Sequence, residues 1–314
     1  MGRYLLKRLI QFPLVLWILI TISFFMMRAA PGGPFSEEKR VDPAILAKMN
    51  EKYGLSDPLL KQYARFLGNL AVLDLGPSFT QKTRTVNEII GERWPVSAVL
   101  GGTAILLALL LGLTAGVIAA IRHNSRWDYG SMAVAMVGLS VPTFVVGPML
   151  ALLLGIWAGL FPVAGFEPIL GTAWLPHPKF LLLPAFTLSL PFAARIARLT
   201  RAGMLEVIHQ DYIRTAWAKG LSEQVIVLRH ALRGALLPVV SFLGPATAEI
   251  LTGSLVVEQV FAFPGLGREF VQSAINRDYT LVMGTVILFG SLLITFNLIV
   301  DVLYGFLDPR IRYA

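Results

Sequence analysis

The chain contains no cysteine, which excludes disulfides, thiolate metal sites and cysteine nucleophiles. Charge is almost as scarce, since only 15% of its 314 residues are charged against about 25% in an ordinary globular protein. Hydrophobic residues make up 55% and the mean hydropathy is +0.68. Whole stretches of about 20 residues carry no charge, so an ordinary soluble domain is excluded and lipid is the solvent for much of the chain. No Gly-Lys dipeptide occurs anywhere. A phosphate-cradling G-x-x-x-x-G-K-[ST] loop is therefore missing, and any nucleotide hydrolysis coupled to this chain must happen on another one. Neither H-E-x-x-H nor G-x-S-x-G occurs, and His123, His177, His209 and His230 lack metal-ligand spacing. No catalytic residue, metal site or cofactor is expected, and the chain is not expected to be an enzyme.

What is present is a set of six apolar segments long enough to cross a bilayer: Leu9–Met27, Ser97–Ile121, Met132–Ile156, Phe180–Ile196, Leu236–Val257 and Leu281–Leu303. The fourth is short and carries Pro184 and Pro191, which leaves a five-span reading open. The net charge is +8, and its distribution decides what it means. With the N-terminus inside, fourteen Lys and Arg fall on the inner side, among them Arg3, Lys7, Arg8 and the seven from Arg195 to Arg233. The short outer loops hold Lys179, Arg268 and Arg277 only. Both termini are thus expected inside, and topology accounts for the basic excess without nucleic acid. Residues 1–30 also admit a signal-peptide reading, although their apolar run of 19 residues exceeds the usual 7–15 or so.

The expected organisation is an N-tail and first span (1–27), an outer helical segment (28–95), a five-helix membrane core (96–304) and an inner C-tail (305–314). Within the outer segment, Asp42-Pro43 opens a helix carrying Ile45, Leu46, Met49 and Tyr53, with Gly54 as its stop. Asp57-Pro58 opens a second, whose apolar stripe is Leu59, Leu60, Tyr63, Phe66, Leu67 and Leu70. Such a segment is a cap on the outer ends of the spans or a docking surface for an external partner. The largest inner loop, 197–235, reads as helix, corner, helix: Asp211 caps a short helix through Lys219, Gly220 turns left-handed, and Ser222 caps the next. Too polar to span, it lies along the inner membrane surface against lipid or projects from it.

Ion-coupled carriers place several ionisable groups at mid-membrane, whereas here only Glu249 and Asp301 fall clearly inside spans. Glu249 is a candidate for lining a polar path or for a hydrogen bond between helices. Asp301 reads as structural, paired with an arginine of the tail. Gly112 with Gly116, and Gly155 with Gly159, have the spacing of close helix contacts. Pro142, Pro148 and Pro245 should bend their helices.

The inner loop, Asp-Tyr-Ile-Arg-Thr-Ala-Trp-Ala-Lys-Gly-Leu-Ser over 211–222 with Arg-His-Ala-Leu-Arg-Gly-Ala-Leu-Leu-Pro over 229–238, resembles the coupling loop of ABC importer permeases of the dipeptide and oligopeptide branch. Gly-Ser-Leu-Val-Val-Glu-Gln-Val-Phe-Ala-Phe-Pro-Gly-Leu-Gly (253–267), Asn-Arg-Asp-Tyr (276–279) and Leu-Asp-Pro-Arg-Ile-Arg-Tyr (307–313) resemble the B-type permease of that branch. Three departures stand out: Arg214-Thr215-Ala216 where the general pattern has Glu-Ala-Ala, Gly234 where relatives often have Asn, and Pro31-Gly32-Gly33-Pro34 for the commoner Pro-Gly-Asp-Pro. The resemblance implies an all-α, polytopic type I importer permease in a bacterial inner membrane. It implies partners too: a second, non-identical permease, two ATP-binding subunits and an external solute-binding protein, with peptide as substrate. Asp211, Tyr212, Ile213, Arg214, Thr215, Ala216, Lys219, Gly220, Leu221 and Ser222 are the residues it assigns to ATPase coupling. A permease for nickel or another non-peptide solute is the alternative within the family, and an ion-coupled carrier the alternative outside it.

Overall fold

A computed structural model describes residues 2–29, 48, 50–51 and 53–307. Among these residues the protein is helical, with two isolated β-bridges, Pro77 to Thr85 and Pro168 to Pro176, and no strand. In chain order the helices are α1 (Gly2–Ala29), α2 (Leu59–Ala71), α3 (Val86–Ile121), α4 (Arg126–Ser140), α5 (Thr143–Leu150, continued by a π-helical stretch Ala151–Trp157), α6 (Pro178–Ile208), α7 (Asp211–Ala218), α8 (Glu223–Val225, running through a π-helical stretch Ile226–Ala231 into α9, Leu232–Ala235), α10 (Leu237–Leu251), α11 (Leu255–Val260), α12 (Leu266–Ile275) and α13 (Tyr279–Leu307). Five helical stretches are long and apolar enough to cross a membrane, six if a bent pair counts as one span.

That pair is the expected third span. Where one helix over Met132–Ile156 was expected, α4 and the α5 stretch meet at 108°. Pro142 lacks an N–H and drives Val141 out of the helical region, to ψ 121°. The fourth span is longer than expected, because α6 runs twelve residues past Ile196. Arg198 and Arg201 look like loop residues in sequence, yet the helix continues because Ala197, Thr200, Gly203 and Met204 on its other face are buried. Helix α3 also starts earlier than Ser97. Thr85 and Glu88 form a capping box, with Glu88 N–H donating to Thr85 Oγ1 at 3.2 Å and Thr85 N–H to Glu88 Oε2 at 3.0 Å. The fifth span, Leu237–Val260, is interrupted between Leu251 and Leu255. Gly253, at φ +105°, makes the break.

Helix α3 packs along α6 as the central pair, joined by α10 and α13. Close approach explains two glycines: a Cβ at Gly112 would stand 2.7 Å from the Ala193 carbonyl oxygen, and one at Gly116 2.6 Å from that of Ala197. The other expected pair makes no helix contact. Gly155 faces Phe161 and Val163 of the following loop, while Gly159 has open space around it. Residues 53–85 cap one end of the bundle, here the cap end; residues 209–235 form the opposite, loop end. Part of the expected apolar stripe of α2 packs inward, with Tyr63, Phe66, Leu67 and Leu70 half-buried against Ile20, Phe24 and Met283, whereas Leu59 and Leu60 in its first turn are exposed. Asp57 does not cap this helix but pairs with Lys61 at 2.9 Å and with Arg65. These partners, Lys61 first, hold its carboxyl below the usual range. The start of the helix expected from Asp42-Pro43 lies outside the described residues; of its second half, Lys48, Asn50 and Glu51 are helical and Gly54 stands after them at φ +63°. The C-tail beyond Leu307 also lies outside the described residues.

Candidate functional site

At the loop end, α7 is an amphipathic helix with one anchored face. Ile213 and Ala216 are buried among Met204 of α6 and Ile226, Val227, Ala231 and Ala235 of the following helical stretch. Burying an Ile side chain stabilises by about 2–3 kcal/mol, so α7 is fixed to the end of α6. The other face carries Asp211, Tyr212, Arg214, Thr215 and Lys219, all exposed, with Trp217 52% exposed. Asp211 is the first helical residue rather than the cap, which is Gln210. From that position it favours the helix N-terminus electrostatically and pairs with Arg214 at 3.4 Å. Gly220 takes φ +74°; its N–H donates to Trp217 O at 2.9 Å and that of Leu221 to Ala216 O at 3.4 Å. The helix thus closes on a left-handed glycine. Ser222 precedes α8 but makes no side-chain cap bond. Gly234 is where Tyr212 crosses the next helix, for a Cβ there would lie 3.1 Å from Tyr212 Oη. Gly203 of α6 likewise meets Ala235, whose carbonyl oxygen would be 2.6 Å from an added Cβ.

Glu249 was expected midway along a span. It is so placed, near the middle of the apolar stretch Leu237–Val260, where the break at Gly253 also puts it in the last turn of α10. It is exposed and lines two cavities. One, of about 370 Å³, is walled by Leu255, Phe270 and Phe289; the other, of about 260 Å³, lies between α6 and α10 with Pro191 and Arg195 on its far wall. Asp301 pairs with Arg8 of α1 at 2.9 Å; the C-tail arginines lie outside the described residues.

Three buried carboxylates were not singled out from sequence. Glu258 is fully buried, takes Ser97 Oγ–H at 2.7 Å and Arg268 N–H at 3.0 Å, and so ties α11 to α3 and to the start of α12. Ser97 Oγ in turn accepts Leu266 N–H at 2.7 Å. Gly253 and Gly265 leave room for this carboxylate, since a Cβ on either would stand 2.6 Å or less from Glu258 Oε1. Asp278, also fully buried, accepts Ser78 Oγ–H, Thr80 N–H at 3.1 Å and Thr80 Oγ1–H at 2.8 Å, and caps α13 through Leu281 N–H at 3.2 Å. Burial pushes its carboxyl up, but these bonds outweigh burial and hold it below the usual range. Asp128 receives Arg201 through Nε at 2.6 Å and a second nitrogen at 2.8 Å, a bidentate link from α4 to α6. Among the described residues no group of three or more His, Asp or Glu could hold a metal.

Two family models match the chain: the inner membrane component of binding-protein-dependent transport systems over residues 112–313, and the N-terminal part of the same component over residues 1–101. The chain is 50% identical to an oligopeptide transport system permease protein of Salmonella typhimurium and 48% identical to that of Haemophilus influenzae, each over 313 residues and 100% of both chains. It is also 42% identical to a dipeptide transport system permease protein of Bacillus subtilis, over 99% of this chain and 98% of the relative.

Proposed function

This chain belongs to the family of binding-protein-dependent transport system inner membrane components, and from that premise we propose that it is one permease subunit of an ATP-driven peptide importer. Full-length identity of 48–50% to oligopeptide permeases carries the substrate class. The absent phosphate loop assigns hydrolysis to separate ATPase subunits. A second permease and an external binding protein complete the complex, in which both termini and the loop end face the cytoplasm of a bacterial inner membrane.

Helix α7, from Asp211, with its corner at Gly220 and Ser222, is the coupling element. Its exposed Tyr212 and Trp217 are the side chains an ATPase cleft would take, since aromatic anchors dominate such interfaces. The buried Ile213–Met204 face makes α7 and the end of α6 one body. A rigid-body shift of the ATPases is then passed along α6 toward Pro191 and Arg195 at the cavity, because packed interfaces switch between discrete arrangements. Residue Glu249 lines the path. Purification of the tagged chain from native membrane tests the reading: ATPase, second permease and binding protein should accompany it, and the reconstituted complex should take up labelled peptide when ATP is supplied. A chain that co-purifies with no ATPase would sink it.

A further inference from the structure

Arg195 of α6 and Glu249 of α10 line the same cavity of about 260 Å³ from opposite walls. Both are exposed, and among the described residues neither is joined to a charged neighbour. The contact recorded for Arg195 is with the Phe242 ring, whose centre lies 5.9 Å from the guanidinium carbon. Charges at membrane depth are costly and persist where they pair or meet a polar solute. Here one of each sign faces the same space.

Their offset can be worked out along α10. Phe242 is level with α6 at Phe192 and Arg195, its ring 6.4 Å from that of Phe192. Glu249 is seven residues further along the helix, or about 10 Å nearer the cap end at 1.5 Å per residue. An extended chain spans about 3.3–3.6 Å per residue, so this axial offset alone matches a chain of about three residues.

Resting on the permease reading above, we infer that Glu249 and Arg195 form a dipolar subsite for a short zwitterionic peptide, the carboxylate taking the terminal ammonium and the guanidinium the terminal carboxylate. The polarity has a consequence. With Glu249 toward the cap end and Arg195 toward the loop end, the peptide lies with its C-terminus leading inward. Free termini would be recognised by charge-assisted bonds, with the carboxylate held by the forked guanidinium.

The test is a cycle between ligand and protein. Binding of trialanine, N-acetyl-trialanine and trialanine amide is measured on the complex that co-purifies with this chain, in detergent and with the binding protein omitted. For the wild type, acetylation and amidation should each weaken binding about tenfold, the scale of one charge-assisted bond. Glu249→Gln should abolish the acetylation penalty and leave the amidation penalty; Arg195→Gln should do the reverse. A merely structural role for either residue would lower binding of all three ligands alike. Penalties that persist unchanged in both variants overturn the subsite, as does wild-type complex with no saturable trialanine binding. Uptake of labelled trialanine with ATP and binding protein, run in parallel on the wild type, separates the two levels. Uptake with a flat cycle leaves the permease reading standing and removes this subsite, whereas absence of any peptide uptake removes the peptide reading itself.

Discussion

Replacing Gly220 isolates backbone conformation from packing. At φ +74° a side chain is strained, yet a Cβ built there meets no atom within 4 Å, so no steric cost is added by the chain itself. Alanine should cost about 1 kcal/mol and β-branched valine on the order of 1–2 kcal/mol, while asparagine, whose short amide tolerates the left-handed region, should cost least. A corner weakened by 1–2 kcal/mol loses a factor of about 5–30 in its population relative to competing turns. Abundance should hold, because the buried contacts of Ile213 and Ala216 are untouched. ATP-dependent uptake should fall in the order Asn, Ala, Val, least to most. Membrane abundance, co-purified ATPase and uptake measured on one preparation distinguish lost docking from docking without transmission. Gly220→Val with normal ATPase and full uptake would refute the coupling role. Equal losses for Asn and Val would refute the conformational argument, since a footprint against a partner, not φ, would then set the effect.

Orientation is checked by cysteine labelling, which needs no prior removal of native thiols because the chain has none: with Ser56 and Ser222 both exposed, an impermeant thiol reagent on spheroplasts should label Ser56→Cys and spare Ser222→Cys, and the opposite pattern would reverse the topology. In α3, Gly112→Ala should destabilise by about 1–3 kcal/mol through overpacking, because its Cβ would meet the Ala193 carbonyl oxygen at 2.7 Å. Gly91→Ala, in open space on the same helix, should be neutral or gain up to about 1 kcal/mol; equal melting shifts of the detergent-solubilised protein would contradict the packing account. Asp278→Asn should cost about 1–3 kcal/mol by turning an amide N–H donor, where the carboxylate had an acceptor, toward the donors of Ser78 and Thr80. The folded carboxyl titrates below its unfolded value of about 4, so its contribution is complete above that value and is lost as pH falls through the folded one. Wild-type stability should therefore drop as pH falls below about 4 while Asp278→Asn stays flat at this site, and parallel acid melts would disprove the assignment.

What could be read from the sequence was what short stretches determine by themselves. The later part of the stripe of α2, the position of its start just after Asp57-Pro58 and the left-handed Gly220 each depend on residues within about three turns, and these sit where local rules put them. The errors share a different origin. Arg198 and Arg201 read as loop because charge was counted without its partner, and the partner of Arg201, Asp128, is 73 residues away. That bidentate pair, with the buried Ala197, Thr200, Gly203 and Met204 of the other face, carries the extension of α6 toward α7, and it is this extension that joins the loop end to the cavity wall. Glu258 and Ser97 are 161 residues apart, and Asp278 and Ser78 are 200 apart; no periodicity encodes such pairs. A partial signal was nonetheless available at Glu258. It lies in an apolar block bounded by Gly253, Gly265 and Gly267, and glycines gathered around one acid mark close backbone approach. The structure gives the reason: the Cβ atoms they lack would occupy the space of the Glu258 carboxyl and of the Gly253–Gly267 backbone contact. The same glycine that makes that room, Gly253, also follows the end of α10 and lines both cavities beside Glu249. One residue type at one position therefore answers to three demands, and only the folded chain brings them together.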